Sequence, residues 1–293
     1  VTVTATSDLV TAAATAGTAV PAFNVVTLEY AEGIAAGVEQ AGAAAILQIS
    51  ENTIAFHGGR IAPLLAACAQ VAAHSTAPLA IHLDHLQDLT LVNEAIATAA
   101  SLGATSLMID AAHLPYGDNV ERTRSVTRDA HAAGLWVEAE LGEVGGKAGA
   151  HALGARTDPD EAVAFVAATG VDALAVAVGS SHAMTTREAH LDHDLITRLA
   201  AAVGVPLVLH GSSGVSDAQL RRAADAGIRK LNVGTALNIA FTGAVRKILS
   251  DNTFSGKPDS RPYLAAGRDA ISDTVADLCR VVAMGPAAKA VAR

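Results

Sequence analysis

PLAIHLDHLQDLTLVNEAIATAASLG, residues 78–103, splits into two halves with different periods. The first is a short apolar run that reads as a buried parallel strand, Leu79–Asp84. From Leu89 onward apolar residues recur at helical spacing, and the segment closes on Gly103, as a left-handed helix C-cap prefers. Between the halves stand His82, Asp84 and His85, polar groups placed where a buried strand should be finishing.

The same pattern is written eight times along the chain. The strands expected are Val20–Val26, Ala44–Ser50, Leu79–Asp84, Ser106–Asp110, Leu135–Leu141, Ala173–Gly179, Pro206–His210 and Arg229–Val233. Helical segments such as TLEYAEGIAAGVEQAG (27–42), DPDEAVAFVAATG (158–170) and SDAQLRRAADAG (216–227) lie between them. Ser216 and Asp158 are placed as N-caps ahead of acidic first turns. Eight even strand–helix units point to an α/β fold, a (β/α)8 TIM barrel forming one domain over residues 1–293; a doubly wound sheet of eight strands is the alternative. The first twenty residues read as a short capping helix. A polar connector at 251–270 leads into an extra C-terminal helix running to about Val282.

Composition narrows the function. Half the chain is apolar but aromatics make up only 3%, so the core must be built from Ala, Val, Leu and Ile. The net charge of −9, without a cluster of Lys and Arg, argues against a nucleic-acid surface. No apolar run reaches the roughly 18 residues of a membrane span. The start lacks the basic and apolar regions of a secretory signal. Cys68 and Cys279 sit in helix-like apolar settings, which suits a reducing cytoplasm better than a disulfide framework. A cytoplasmic protein, with no nucleic-acid or membrane partner, is expected.

In such barrels chemistry gathers at the C-terminal ends of the strands. Those ends carry Asn24, Ser50, Asp84 and His85, Asp110, Glu138 and Glu140, Gly179 with Ser181 and His182, His210 with Gly211 and Ser213, and Asn232 with Thr235. His85, His182 and His210 come from three different strand ends and can converge, and three imidazoles with a fourth position open are a catalytic zinc arrangement. His74, His131, His190 and His193 are assigned to surfaces, and His82 to a supporting role on the face it shares with Asp84. The Gly- and Ser-rich turns HGSSGVSD (210–217) and NVGTALN (232–238) suit a phosphate held by backbone N–H groups and a helix N-terminus. The glycine-rich stretch 140–158 reads as a lid over the metal.

With these residues in place the chain resembles the class II, metal-dependent ketose-bisphosphate aldolases, the fructose- and tagatose-bisphosphate enzymes. The resemblance runs through AFNV (22–25), AIHLDH (80–85), MIDAAHLPYGDNV (108–120), VEAELGEVGG (137–146), VGSSHA (178–183), PLVLHGSSG (206–214), KLNVGT (230–235) and DSRPYLAAGRDAI (259–271). It implies a Zn2+ ion on His85, His182 and His210, with a monovalent cation as a further candidate cofactor. Asp84 becomes the acid/base at the hydroxyl beside the scissile bond, and Asp110 and Glu140 become alternate ligands or supports of the metal. Gly179, Gly211, Ser213, Asn232 and Thr235 would hold the phosphate and enediolate end of a phosphorylated ketose, helped by Asn24 and Ser50. Arg261 would reach the far phosphate across a subunit boundary, in a homodimer or homotetramer. The implied reaction is reversible cleavage of a ketose (bis)phosphate to dihydroxyacetone phosphate and an aldehyde.

Three departures from the family pattern bear on specificity. Lys147, Ala148 and Gly149 stand where the family carries lid carboxylates, leaving Glu143, His151 or water to exchange the proton at C3. Ala183 and Thr186 replace a glycine and a phosphate-side lysine, and Gly234 replaces an Asn or Asp that faces the substrate hydroxyls. Two competing readings remain open from sequence. A metal-dependent hydrolase on the same barrel would use zinc and an aspartate to activate water, although PAFNV (21–25) lacks the His-x-His such barrels open with. A sugar-phosphate-binding paralogue with degraded chemistry would account for the missing lid carboxylate.

Overall fold

A computed structural model describes residues 3–142, 156–251 and 258–283. Its strands are β1 (Val20–Asn24), β2 (Ala45–Ser50), β3 (Leu79–Leu86), β4 (Ser106–Ile109), β5 (Trp136–Leu141), β6 (Ala173–Val176), β7 (Leu207–Leu209) and β8 (Ile228–Val233). Each pairs in parallel with the next, and β8 returns to β1, closing the barrel. The doubly wound alternative is thereby set aside. Helix α1 (Thr6–Ala16) precedes β1, and α2 (Leu28–Ala41) follows it. Two helices, α3 (Glu51–Phe56) and α4 (Ala62–His74), follow β2. One helix follows each later strand: α5 (Leu89–Thr98), α6 (Tyr116–Ala132), α7 (Pro159–Thr169), α8 (His193–Ala202), α9 (Asp217–Ala226) and α10 (Thr235–Leu249). The last helix, α11 (Arg261–Ala283), is the extra C-terminal one.

Period-two alternation sorts the strand residues onto two faces. Phe23, Leu47, Ile81, Leu83, Leu107, Val137, Leu174, Leu209 and Leu231 face the helices in one continuous apolar layer. Burying each such side chain stabilises the fold by roughly 1.5–3 kcal/mol. On the inner face, Val20, Ala22, Ile46 and Ala80 near the strand starts pack on Leu9, Val10 and Ala13 of α1, and Ala173, Ala175 and Val208 form a smaller apolar cluster with Trp136. Helix α1 therefore plugs the N-terminal end, and Thr6 Oγ1 adds a 2.7 Å hydrogen bond to Ser106 Oγ. Helix α11 lies across α2 and α10. A Cβ at Gly33 or Gly37 of α2 would stand 2.6 Å from the Arg268 carbonyl or 2.4 Å from that of Ser272, so glycine is what lets these helices approach.

All eight strands differ from their expected bounds by one to three residues, β6 by the most. Strand β6 ends at Val176 and β7 is confined to Leu207–Leu209. Beyond β6, Ala177 leaves the ladder and exchanges hydrogen bonds with Thr157 instead. The connector ends early: Asp259 accepts the Arg261 N–H, and Pro262, compatible with a first helical turn, continues into α11. Asp158 caps α7 as expected, through the N–H groups of Asp160 and Glu161, whereas Ser216 occupies the cap of α9 without a side-chain bond.

Candidate active site

Adjacent strand residues point to opposite faces, so Asp84 and His85 need a local device to serve one site. The device is a bulge. The β3–β4 register shifts between Leu83 and Leu86, and His85 adopts φ 52°, a left-handed conformation that is costly for a non-glycine residue. Asp84 thereby keeps its place on the inner face, while His85 is turned toward the mouth of the barrel. Ala183, directly after His182, has φ 58°, so a second positive-φ residue adjoins the candidate metal site.

The rings of His85, His182 and His210 lie 4.7 to 5.5 Å apart. One donor atom from each, together with a carboxylate oxygen of Glu140, falls within a 4.8 Å cluster. Among the described residues, His85 Nε2 is buried without a hydrogen-bond partner, and His210 Nδ1 meets only the Glu140 carboxylate, at 3.2 Å. Such an orphan is costly unless something binds it, and three imidazoles with a carboxylate are a donor set suited to zinc. Glu140, expected as an alternate ligand or support of the metal, joins the three imidazoles in this cluster. Asp110 instead stands behind the cluster: its Oδ2 bonds His85 Nδ1 at 2.9 Å and accepts from Gln87 Nε2. On the other side, Glu138 Oε1 holds His210 Nε2 at 2.9 Å.

Electrostatics divide these groups by task. Burial works against an ionised Asp84, but His85, Lys230 and the other imidazoles outweigh it and hold the carboxyl below its ordinary range. Glu138 meets the same opposition from burial and is brought further down by Lys230 and His210. Burial and then Lys230 push His82 down to about 3, so it is neutral, with Nδ1 bonded to Ser106 Oγ at 2.8 Å. His210 is raised to about 9, burial notwithstanding, by the carboxylates of Glu138 and Glu140. A metal at its Nδ1 therefore competes with a proton.

The sequence model of the class II fructose-bisphosphate aldolases matches residues 4–285. This chain belongs to that family. The YdjI aldolase of Escherichia coli superposes with a TM-score of 0.82 at 29% identity, over 98% of this chain and 99% of that one. A Coccidioides immitis protein described as a fructose-1,6-biphosphate aldolase gives 0.85 at 27% identity, over 97% and 98%. The fructose-bisphosphate aldolase of Campylobacter jejuni shares the fold, with a TM-score of 0.77 at 19% identity over 94% and 93%.

In this aldolase the remaining residues singled out from sequence fall into three groups. Asn24 and Asn232 edge the site from below: Asn24 Oδ1 accepts from Gln48 Nε2, and Asn232 Nδ2 reaches Asp84 Oδ1 at 3.4 Å. Ser50 caps α3 by accepting the Thr53 N–H. Gly211 and Ser213 lie in the turn after β7 and Thr235 opens α10 after β8, the two turns expected for phosphate. Gly211 has φ 69° and its backbone crosses Ser181 so closely that a Cβ would lie 2.4 Å from the Ser181 carbonyl. Ser213 Oγ accepts the Ala236 N–H at the start of α10. A cavity of about 250 Å³ beside Ser213 and Ala236 is edged by Arg187, whose guanidinium also pairs with Asp217. Gly179 lies against the His190 carbonyl.

Arg261 stands apart. Its side chain is 88% exposed at the start of α11 and holds Asp259, so within one chain it faces solvent. Residues 143–155, with Glu143, Lys147, Ala148, Gly149 and His151 of the expected lid, lie outside the described residues. Gly234 also needs a new explanation. The space its side chain would take is filled by Asn24, whose Nδ2 and Cγ lie 3.1 and 3.2 Å from a Cβ placed there. The glycine admits the Asn24 amide and does not leave an open pocket. The sequence reading overlooked Gln48, Gln87 and Lys230, and gave Glu138 no role. Lys230 and Asn232, like Glu138 and Glu140, share the inner face by alternation, and that pattern was the available signal.

Among the described residues no helix is long and apolar enough to cross a membrane. His74, His131 and His190 are exposed as expected, while His193 is half-buried and bonded to Gln219.

Proposed function

We propose that this protein is a zinc-dependent aldolase that reversibly cleaves a ketose phosphate into dihydroxyacetone phosphate and an aldehyde. The reading rests on one juxtaposition: four buried or half-buried metal-ligating groups within 4.8 Å of one another, with the ionised carboxylate of Asp84 next in sequence to one of them. His85, His182 and His210 would hold the zinc with Glu140 as an alternate ligand or support, leaving a position for the substrate oxygen, and Asp110 and Glu138 would fix two of the rings. Lewis-acid stabilisation of the charge that develops on the carbonyl side as the C3–C4 bond breaks is the chemistry a bound zinc supplies. Asp84 takes the C4 hydroxyl proton during cleavage and returns it during synthesis. Its depressed pKa keeps it a base at neutral pH. Asn24, Ser50 and Asn232 orient the hydroxyls, and the two turns carrying Gly211 and Ser213 and carrying Thr235 hold the phosphate through backbone N–H groups.

The substrate follows from what changed and what stayed. The phosphate turns after β7 and β8 are kept, which favours dihydroxyacetone phosphate or a close relative as the enediolate partner. Asn24 in the space beside Gly234 and Thr186 in place of a cation alter how the rest of the sugar is met. Losing a group built to meet a substrate hydroxyl can cost orders of magnitude in discrimination. Fructose and tagatose bisphosphates are therefore expected to be poorer substrates than a differently substituted ketose 1-phosphate. Synthesis from dihydroxyacetone phosphate and a panel of aldehydes tests this. Comparable kcat/KM for fructose 1,6-bisphosphate and the best alternative would refute the shift in specificity.

A homodimer or homotetramer, with Arg261 reaching a neighbouring site, completes the reading. Solution mass combined with Arg261→Ala kinetics tests it, and a fully active monomer would contradict it.

A further inference from the structure

Lys230 is completely buried in the middle of the barrel, an expensive place for an ammonium. Three oxygens surround its Nζ: Glu138 Oε2 at 2.8 Å, Asn232 Oδ1 at 2.7 Å and Gln48 Oε1 at 3.1 Å. Each leads to a different part of the site. Glu138 turns its other oxygen, Oε1, to His210 Nε2 at 2.9 Å. Asn232, with its carbonyl oxygen committed to Lys230, must present its amide nitrogen to Asp84 Oδ1 at 3.4 Å. Gln48, held the same way, donates to Asn24 Oδ1 at 2.8 Å. One cation thus determines which end of two amides faces the site, and it compensates the carboxylate that orients a metal-binding ring.

We propose that Lys230 is a positioning residue joining the metal-binding half of the site to the proton-transfer half. With Glu138 held as an anion on Nε2, the ring of His210 is fixed with Nδ1 toward His85, His182 and Glu140. With Asn232 fixed amide-first, the Asp84 carboxylate has a donor on one oxygen, which limits its rotation. An apolar residue at position 230 would satisfy volume alone. It would leave Glu138 buried without its counter-charge and would free Asn232 and Gln48 to flip.

The inference rests on the metal-dependent aldolase reading, and its test begins with cobalt(II) as the probe. Titration of the wild-type protein should give about one tightly bound cobalt per chain; failure of that step counts against the aldolase reading itself. Lys230→Met, and the double variant Lys230→Met with Glu138→Gln that removes the uncompensated carboxylate, are then compared with it. Both should bind cobalt about 10–100-fold more weakly, with an altered visible absorption spectrum. At saturating metal both should show kcat reduced by a similar factor and KM little changed. Wild-type cobalt affinity, spectrum and kcat in either folded variant would overturn the proposal. Failure of both variants to fold would make the network a folding element only, and would overturn it equally.

Discussion

Leu83 and Asp84 are neighbours in β3, both buried, yet they belong to regions built on different rules. Leu83 faces outward into the apolar layer between sheet and helices, where Ala, Val, Leu and Ile interlock. Asp84 faces inward, where Gln48, His82, Glu138, His210 and Lys230 fill the middle of the barrel with polar and charged groups. The outer layer is non-directional: any apolar set of the right volume would hold the helices on. The inner layer is directional, because each buried polar group costs stability unless a specific partner meets it. Outer residues therefore govern whether the chain folds, and inner ones what it can do.

That contrast can be broken at its strongest point first. His182→Ala or His85→Ala should lower bound metal well below one per chain and reduce retro-aldol turnover by at least about 10³-fold, with the barrel still folded by circular dichroism. Stoichiometric metal with normal turnover would remove the inner face from the chemistry. Asp84→Ala should lower kcat by about 10²–10⁴ while metal content stays at the wild-type level. Its counterpart outside, Leu47→Ala, should cost about 2–5 kcal/mol in denaturant unfolding with metal content unchanged. If Leu47→Ala emptied the metal site as effectively as a histidine variant, the two faces would not be separable.

Smaller effects sharpen the picture. Gly234→Ala places a Cβ 3.1–3.2 Å from the Asn24 side chain, so it should displace that amide and raise KM several-fold with little change in kcat. An unchanged KM would mean that Asn24 takes no part in binding. The smallest effect lies far from the site, where Glu39 accepts from Ser75 Oγ at 2.7 Å and Thr76 N at 2.8 Å. The Ser75 hydrogen bond, then that of Thr76, lowers the Glu39 pKa. A depressed carboxylate pKa contributes stability above its unfolded value that is lost as pH falls through the folded one. Unfolding followed from pH 6 to pH 3 should therefore show a small acid-side loss in the wild type that Glu39→Gln lacks. Parallel curves would deny the contribution.

The outer layer was also the legible one. Its alternation, its helical periods and its glycine C-caps at Gly17, Gly42 and Gly170, all left-handed, mark the units directly in the sequence. The rim histidines were legible because polar residues at strand ends interrupt that apolar pattern. The middle of the barrel was not. Lys230 sits in IRKLNV (228–233) beside Arg229, which bonds backbone carbonyls at the periphery, and composition does not separate two adjacent cations; only the face shared with Asn232 does. The bulge at His85 was hidden for a related reason. Strict alternation forbids Asp84 and His85 from sharing a face, and only the left-handed backbone reconciles them.

Metal dependence of carbon–carbon cleavage tests the account most directly. The purified protein would be assayed for triose phosphate released from a panel of ketose 1-phosphates, as isolated, after exhaustive chelation, and after returning zinc. The account predicts about one zinc per chain, release of dihydroxyacetone phosphate from at least one substrate, loss of that activity on chelation, and recovery with zinc. Full turnover by the metal-free chain, or no triose phosphate from any ketose 1-phosphate with the metal site filled, would contradict it.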